Sequence, residues 1–383
     1  MQSANQPCGL FAAKMIMGLF FGPKKQSYLG VDLGAGGIKV VELQNEKGRA
    51  RLATYGFTER LPDSQPANLT DAPEETAALL KKITAKARTS TARTVAGLPI
   101  ASVFNSVITV PKGPEKEMLE AAQVQARKLI PVPLEDMIMD YKPIPAPGEK
   151  GAAKGPAKED AKKEESKNVQ MLITGASRAM VSKYLKVFQL AGLTLESLET
   201  ETFALVRSLI GKDRSISMIV DIGALRTNII IVENGVPYVT RSLDMGGASL
   251  TRAMSRALNM DIKSAESLKC DIKGVSSIYP AEGLPKVFET TMLPMVTELK
   301  YSMDLYTGQG DDQNGKQVEK IIITGGSALL PSLAGYFTKQ LSIRSYVGDP
   351  WARVVYPDEL RPVLDEVGPR FAVSVGLAMR DIE

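Results

Sequence analysis

Two stretches of the chain, far apart, carry the same pattern of apolar and polar positions. Tyr28 to Leu43, YLGVDLGAGGIKVVEL, is an apolar run closing on Asp32, a glycine-rich turn and a second apolar run. Met218 to Val232, MIVDIGALRTNIIIV, repeats it around Asp221. Such runs, broken by glycine, predict strands at Tyr28–Val31 and Lys39–Leu43, followed by a third at Ala50–Phe57. DAPEETAALLKKITAKA then has helical spacing, with Asp71 placed to cap it. TVAGLPIASVFNSVITVP reads as two strands around a turn, EKEMLEAAQVQARKLI as a helix ended by Pro131, and MIMDYKPI as a strand.

Farther on, VQMLITGA predicts a strand and SRAMVSKYLKVFQLAGL a helix stopped by Gly192. ETFALVRSLIG is a further helix. The opening pattern returns at Ser217, and helices follow at GGASLTRAMSRAL, IKSAESLKCDI and LPKVFETTMLPMVTELKYSMDLY. KIIITGG is a strand leading to a helix opened by Ser327, and RFAVSVGLAMRDI ends the chain as a helix. Strands and helices mixed in this order give an α/β protein.

Residues 149–168 break the pattern. Six Lys and five acidic residues sit among Ala, Gly, Ser and Pro, with no aromatic or branched aliphatic side chain. That composition buries too little apolar surface to offset ordering entropy, so it predicts a mobile loop. Near the N-terminus, CGLFAAKMIMGLFF is apolar but too short to span a bilayer and is interrupted by Lys14. It reads as an extension ahead of a natural beginning at Met17, with a short amphipathic membrane foot as the alternative. A cytoplasmic protein is expected.

Composition narrows the chemistry. With 383 residues the chain exceeds one ordinary core, and 44% apolar with 23% charged residues is typical of globular proteins. A net charge of +4 and the lack of basic runs with interleaved aromatics argue against nucleic-acid binding. Two cysteines provide no disulfide framework. Histidine is absent, which excludes Ser-His-Asp and Cys-His catalysis and His metal sites. Carboxylates, Lys, backbone amides or a bound metal must carry any chemistry.

The duplicated turn supplies such groups. Aligned on their acids, Asp32 falls on Asp221, Gly34 on Gly223 and Ala35 on Ala224. One such turn alone is more often an ordinary hairpin; two, in related halves facing each other, would meet at a shared cleft. Glycines admit phosphate oxygens to backbone N–H groups. An Asp at each strand end suits Mg²⁺ held through its waters, and Lys39 suits the β/γ phosphates of a nucleoside triphosphate. A third glycine turn, Gly325-Gly326 before Ser327, could admit adenine or an α-phosphate at a helix N-terminus.

These elements in this order resemble the actin, Hsp70 and sugar-kinase superfamily of ATP-binding proteins. Within it the pattern is most similar to the PilM-like family of type IV pilus assembly. The similarity is carried by the first turn, ARKLIPVPLEDMIMDY (126–141), LAGLTLESLETETFAL (190–205), RSLDMGGASLTRAM (241–254) and AESLKCDI (265–272). The resemblance implies an actin-like bilobed fold of two related ribonuclease-H-like halves, with an extra subdomain inserted in the first. It implies bounds of 1–26 for the extension, 27–91 and 193–216 for lobe I, and 92–192 for the insert. Lobe II would span 217–371, and 372–383 would return as a helix to lobe I.

Asp32, Gly34, Ala35, Gly36, Gly37 and Lys39 would form the first phosphate loop, and Asp221, Gly223, Ala224 and Thr227 the second. Asp32 and Asp221 would serve Mg²⁺. Glu266 and Lys269, three apart on one helix face, would meet the ribose and adenine of ATP; otherwise they are a surface ion pair. Gly325, Gly326 and Ser327 would close over the adenosine. Glu201 stands where MreB- and FtsA-like relatives carry a Glu-Pro pair, but Thr202 follows it, so orienting the attacking water and a buried or capping role both stay open. Family first loops are rich in serine, and this one is not, which favours binding over turnover.

Arg127, Ile130, Pro131, Pro133 and Leu134 would line a groove for the N-terminal cytoplasmic peptide of the inner-membrane protein PilN. The protein would then sit peripherally at the inner membrane through its partner. Other pilus motor components and a homo-oligomer or ring are further possible associations within this reading. A small-molecule kinase and an FtsA/MreB-like filament are the alternatives.

Overall fold

The computed structural model describes residues 26–61, 68–144, 167–270, 284–308 and 316–382. The N-terminal extension and most of the charged 149–168 tract lie outside the described residues, as does the end of the IKSAESLKCDI segment.

The first apolar repeat forms an antiparallel meander of β1 (Ser27–Gly34), β2 (Gly37–Glu46) and β3 (Arg49–Phe57). There follow α1 (Pro73–Ala87), β4 (Arg93–Leu98), β5 (Val103–Pro111), α2 (Glu115–Leu129), β6 (Met137–Pro143), β7 (Asn168–Ser177), α3 (Arg178–Ala191), β8 (Thr194–Thr200) and α4 (Glu201–Leu209). The second repeat forms a matching meander of β9 (Ser217–Ile222), β10 (Thr227–Glu233) and β11 (Val236–Leu243). After it come α5 (Gly247–Leu258), α6 (Ile262–Cys270), α7 (Lys286–Gly308), β12 (Lys320–Thr324), α8 (Leu333–Leu341), β13 (Ser345–Val347), β14 (Val354–Val355), α9 (Arg361–Val367) and α10 (Ala372–Met379).

Pairing turns the sequence repeat into a repeat of topology. One sheet runs β3-β2-β1-β4-β8 with β14 added outside β3; another runs β11-β10-β9-β12-β13. In each, three antiparallel strands are extended by two parallel ones. The fold is α/β with two related halves, as the resemblance implies. A third sheet, β5-β7-β6, is separate and packs α2 over Ile108, Val110, Met171 and Ile173.

Glycines let the last helix seat tightly on the first sheet. A Cβ on Gly30 of β1 would lie 2.0 Å from the Ser374 carbonyl, and one on Gly376 1.9 Å from the Ala204 carbonyl. α10 is buried along its whole length and fills the space between β1 and α4. Arg207 fastens it further, pairing with Glu199 at 2.6 Å and donating to the Gly376 carbonyl at 2.7 Å.

Several boundaries differ from those expected. β4 and α3 fall inside 92–192, yet β4 pairs with β1, and α3 packs Tyr184, Val187 and Phe188 into the first-lobe core. The separate sheet therefore occupies only the interior of that span. Residues 351–371, assigned to the second lobe, return to the first: Val354 pairs with Ala50, and Trp351, Leu364 and Phe371 pack with Tyr28, Val41 and Leu43. Asp71 does not cap α1, which begins on Pro73 with no side-chain cap; it pairs instead with Lys183 at 2.6 Å. Ser327 lies in a single 3₁₀ turn, Gly326–Leu329, and α8 starts only after Pro331, which cannot continue a hydrogen-bonded helix. Among the described residues no helix is long and apolar enough to cross a membrane.

Candidate functional site

A cavity of about 900 Å³ opens between the two halves. Its floor is made by the ends of the paired strands. In β1 and β2, Asp32 is the cross-strand partner of Lys39; in β9 and β10, Asp221 is the cross-strand partner of Asn228. The duplication thus extends to the residue facing each acid. Lys39 Nζ lies 3.4 Å from Asp32 Oδ2, and Asn228 Nδ2 donates to Asp221 Oδ2 at 3.2 Å.

The two turns meet. A Cβ on Gly36 would lie 3.0 Å from the Ala224 Cβ, so a larger residue there would push the loops apart. The first turn is tied down by Thr58, whose hydroxyl accepts from Ile38 N at 3.0 Å, and by Arg60, which donates to the Ala35 carbonyl. The second turn supports α5: Gly247 N and Ala248 N donate to the carbonyls of Gly223 and Ala224. Gly325, at φ +86°, brings the third turn onto the same floor, where a Cβ would fall 2.6 Å from Asp221 Oδ1. No L-residue with a side chain fits there without strain.

Glu201, first residue of α4, adds a third carboxylate and accepts from Ile100 N at 3.2 Å. Burial pushes its carboxyl well above the ordinary range, and the charges of Asp32 and Asp221 push it further. Burial likewise raises Asp221 to about 6, partly offset by the Asn228 amide. Both side chains line the cavity, so water reaches them, while protein surrounds them otherwise. Three carboxylates facing one lysine form a site with an excess of negative charge, which a divalent cation would relieve. Among the described residues no three acidic, His or Cys side chains gather closely enough to hold an ion directly. Carboxylates at the two strand ends would suit a cation held through its own waters, as Mg²⁺ is.

The far wall is built by α5 and α6. Lys269 Nζ donates to Glu266 at 2.8 Å, to Thr251 Oγ1 at 2.8 Å and to the Gly247 carbonyl at 3.1 Å. Thr251 Oγ1 also donates to Glu266. Burial raises the Glu266 carboxyl, but Lys269 and Thr251 outweigh it and hold it below the ordinary range. These two residues are thus an ordered cavity wall and no loose surface pair.

Of the residues singled out in the sequence, Asp32, Gly34, Ala35, Gly36, Lys39, Glu201, Asp221, Gly223, Ala224, Glu266, Lys269, Gly325, Gly326 and Ser327 all line this cavity. Gly37 and Thr227 do not. Gly37, at φ +128°, makes room for the Thr58 carbonyl, 2.0 Å from where a Cβ would stand. Thr227 is fully buried and donates to the Met245 carbonyl at 2.7 Å. Both shape the turns without facing the cavity.

Sequence reading missed Asn228, Gly247 and Arg370. Asn228 was legible, standing as far after Asp221 as Lys39 stands after Asp32. Gly247 follows another glycine just ahead of an amphipathic helix. Arg370 had no signal, because it enters from the returning 351–371 segment; it pairs with Glu59 at 2.8 Å.

The second group lies elsewhere. Arg127, Pro131 and Pro133 are exposed on the small subdomain and Leu134 is half-buried. Ile130 is 6% exposed and packs in the core beneath α2, so its side chain belongs to the subdomain core and not to the exposed surface. Exposed apolar side chains nearby are Val124, Leu129, Val132 and Ile138.

Comparison with known proteins agrees with this geometry. A family model of the type IV pilus assembly protein PilM matches residues 30–382. The fold is similar to a chain of the PilM-PilN type IV pilus biogenesis complex, with 26% identity and a TM-score of 0.76, over 93% of this chain and 98% of that one. It is similar also to the ethanolamine utilization protein EutJ from Carboxydothermus hydrogenoformans, at 15% identity and a TM-score of 0.54, covering 94% and 90% of the two chains. Cell division protein FtsA from Neisseria meningitidis serogroup B is 23% identical over 224 residues, 54% of this chain and 52% of FtsA. The chain thus spans about half the length of that curated relative. The family match covers nearly all of the described fold, and the chain belongs to the PilM family of type IV pilus assembly proteins.

Proposed function

We propose that the chain is a nucleotide-loaded scaffold of the pilus machine. It holds ATP with hydrated Mg²⁺ between its lobes, and its small subdomain captures the N-terminal peptide of a PilN-like inner-membrane protein. The observation that supports this most is the likeness to a chain of the PilM-PilN complex across 93% of the sequence. The cleft supports the nucleotide half of the reading. Asp32 and Asp221 would orient the waters of the cation, Lys39 would meet the terminal phosphates, and Glu266 and Lys269 would face the nucleoside. When bound, the cation supplies the positive charge that lets three carboxylates and a polyphosphate share one space. Glu201 is tied to Ile100 N, which serves to shape the cleft whether or not a phosphoryl group is transferred.

For the peptide, β6 is an edge strand of the small sheet. An extended segment gains main-chain hydrogen bonds along such an edge and specificity from pockets for alternate side chains. Pro131, Val132 and Pro133 form a stiff, exposed connector beside it, with Arg127 above. Membrane association would then be peripheral, through the captured peptide.

The test is fluorescence anisotropy with a labelled PilN-like N-terminal peptide. Val132→Asp should lower peptide affinity at least tenfold with an unchanged melting temperature. Ile130→Asp should lower the melting temperature itself, since it places a charge in the subdomain core. Unchanged peptide affinity in Val132→Asp removes this connector from the binding surface.

A further inference from the structure

We propose that a second, smaller pocket behind the cleft binds a neutral carboxamide group, and that its occupancy is linked to that of the nucleotide site. The linkage rests on the reading of the cleft given above; the amide pocket does not. The pocket, about 270 Å³, lies where β5 faces β11. Each is an edge strand of its own sheet, so the pocket is bounded by the small subdomain on one side and the second lobe on the other. Tyr238 of β11 and Gln170 of β7 span the same boundary, 3.2 Å apart.

Two polar atoms of its lining have no protein partner despite being buried: Asn105 Nδ2 and Thr240 Oγ1. Thr174 donates to Asn105 Oδ1 at 3.1 Å, which leaves the amide nitrogen as the free donor. On the opposite wall Ser242 Oγ has its proton committed to Asn228 Oδ1 at 3.0 Å and can only accept. One wall therefore donates, while the other offers an acceptor in Ser242 and, in Thr240, a free hydroxyl that can accept or donate. A buried donor left without a partner is unfavourable by about 1–3 kcal/mol, so the pocket favours a group that satisfies both walls at once.

An amide does so: its carbonyl meets Asn105 and its N–H meets Ser242 or Thr240. An ammonium would find a donor, Asn105 Nδ2, among its neighbours. A carboxylate would sit near Asp221 and Glu201, which lie behind the same walls.

Those carboxylates also provide the link. Ser242 is bonded to Asn228, and Asn228 to Asp221. Ile100 lines both cavities, and its N–H donates to Glu201. Each wall of the pocket is thus one or two hydrogen bonds from a carboxylate of the cleft. The pocket straddles elements of both lobes, and a shift of one lobe against the other changes its width. A ligand that prefers one arrangement must then alter affinity at the other site, reciprocally.

The experiment uses the full chain and nuclear magnetic resonance, following the Asn105 side-chain amide and the Ala101 and Ser242 backbone amides. Probes are acetamide, a capped Ala-Asn-Ala peptide and acetate. Saturable shifts with acetamide or the peptide but none with acetate are expected. Asn105→Leu and Thr240→Val should each weaken them at least tenfold with the melting temperature unchanged. Tighter binding of the peptide than of acetamide assigns the group to an Asn or Gln side chain of a protein partner; equal binding assigns it to a small molecule. Mg·ATP should change the probe dissociation constant about fivefold or more.

No saturable shift with either amide, or equal response to acetate, overturns the pocket. Shifts that persist unchanged when calorimetry shows Mg·ATP bound overturn the linkage. If calorimetry shows no nucleotide binding, the cleft reading and the linkage fail together, and the amide shifts still decide the pocket.

Discussion

The two lobes share a strand order and an acidic turn, and they differ in what each turn and sheet must accommodate. In the first lobe Asp32 faces an ammonium, Lys39; in the second Asp221 faces an amide, Asn228. In the first lobe the strand residue two before the acid is Gly30, which admits α10; in the second it is Ile219, which packs in the core that α4 and α10 share. A duplicated scaffold has thus been given one half whose acid is balanced by an ammonium and another whose acid meets only a neutral amide, with the last helix seated on the central strand of the first. The lesson is that topology fixes where the acids stand, while single cross-strand partners set their charge balance.

Exchanging these positions tests the comparison. The largest effect is expected for Gly30→Ile, which gives β1 the residue of β9. Its Cβ would be 2.0 Å from the Ser374 carbonyl and no flexible side chain can yield, so a loss of about 3 kcal/mol or more is expected from overpacking. Chemical denaturation checks it; a variant as stable as the parent would show that α10 is not held as described. Next is Lys39→Asn, which makes the first turn like the second. Losing one charge-assisted contact should weaken Mg·ATP binding by about 2 kcal/mol, roughly thirtyfold, with little change in stability. Calorimetry measures it.

A smaller effect is expected in pH dependence. Asp221 stands at about 6 in the folded chain against an ordinary 3.8. The folded state keeps a proton that the unfolded chain releases, so this group lowers stability as pH climbs from about 4 to about 6, and its effect levels off above that. Other acids add slopes of their own, so the readout is the difference from a variant. Asp221→Asn should remove this part of the slope, and Asn228→Lys should shrink it by lowering the Asp221 carboxyl. Melting curves from pH 4 to 8 that superimpose for parent and variants would contradict it.

Much of this was legible in the chain. The acidic turns were, because apolar runs on both sides of a glycine turn have few ways to fold, and two copies align by eye. The cleft followed from them, since related halves bring equivalent strand ends together. What stayed hidden depended on pairing. Thr194–Thr200 carries a polar residue at most positions, yet it is β8, parallel to β4 at the sheet edge. Residues 351–371 look continuous with the second lobe, but Val354 pairs with Ala50 in the first, and Arg370 reaches the cleft only because of that return. Ile130 sits in a proline-rich connector that reads as surface, while its side chain completes a core made of strands distant in sequence. Gly37 and Thr227 open β2 and β10 right after the turns, and their absence from the cavity lining follows from the packing, which sequence does not give. Local pattern predicts elements well; it does not report which neighbour an element chooses.

The central claim is that Asp32 and Asp221 act jointly on one Mg²⁺-bound triphosphate. Calorimetric titration of ATP into the parent, Asp32→Asn and Asp221→Asn, with and without Mg²⁺, tests it most directly. Each substitution should weaken binding about 10–100-fold in Mg²⁺, as loss of a group acting through a metal's waters does. The same substitutions should matter little without the metal. Folded variants that bind ATP in Mg²⁺ as tightly as the parent would contradict the account.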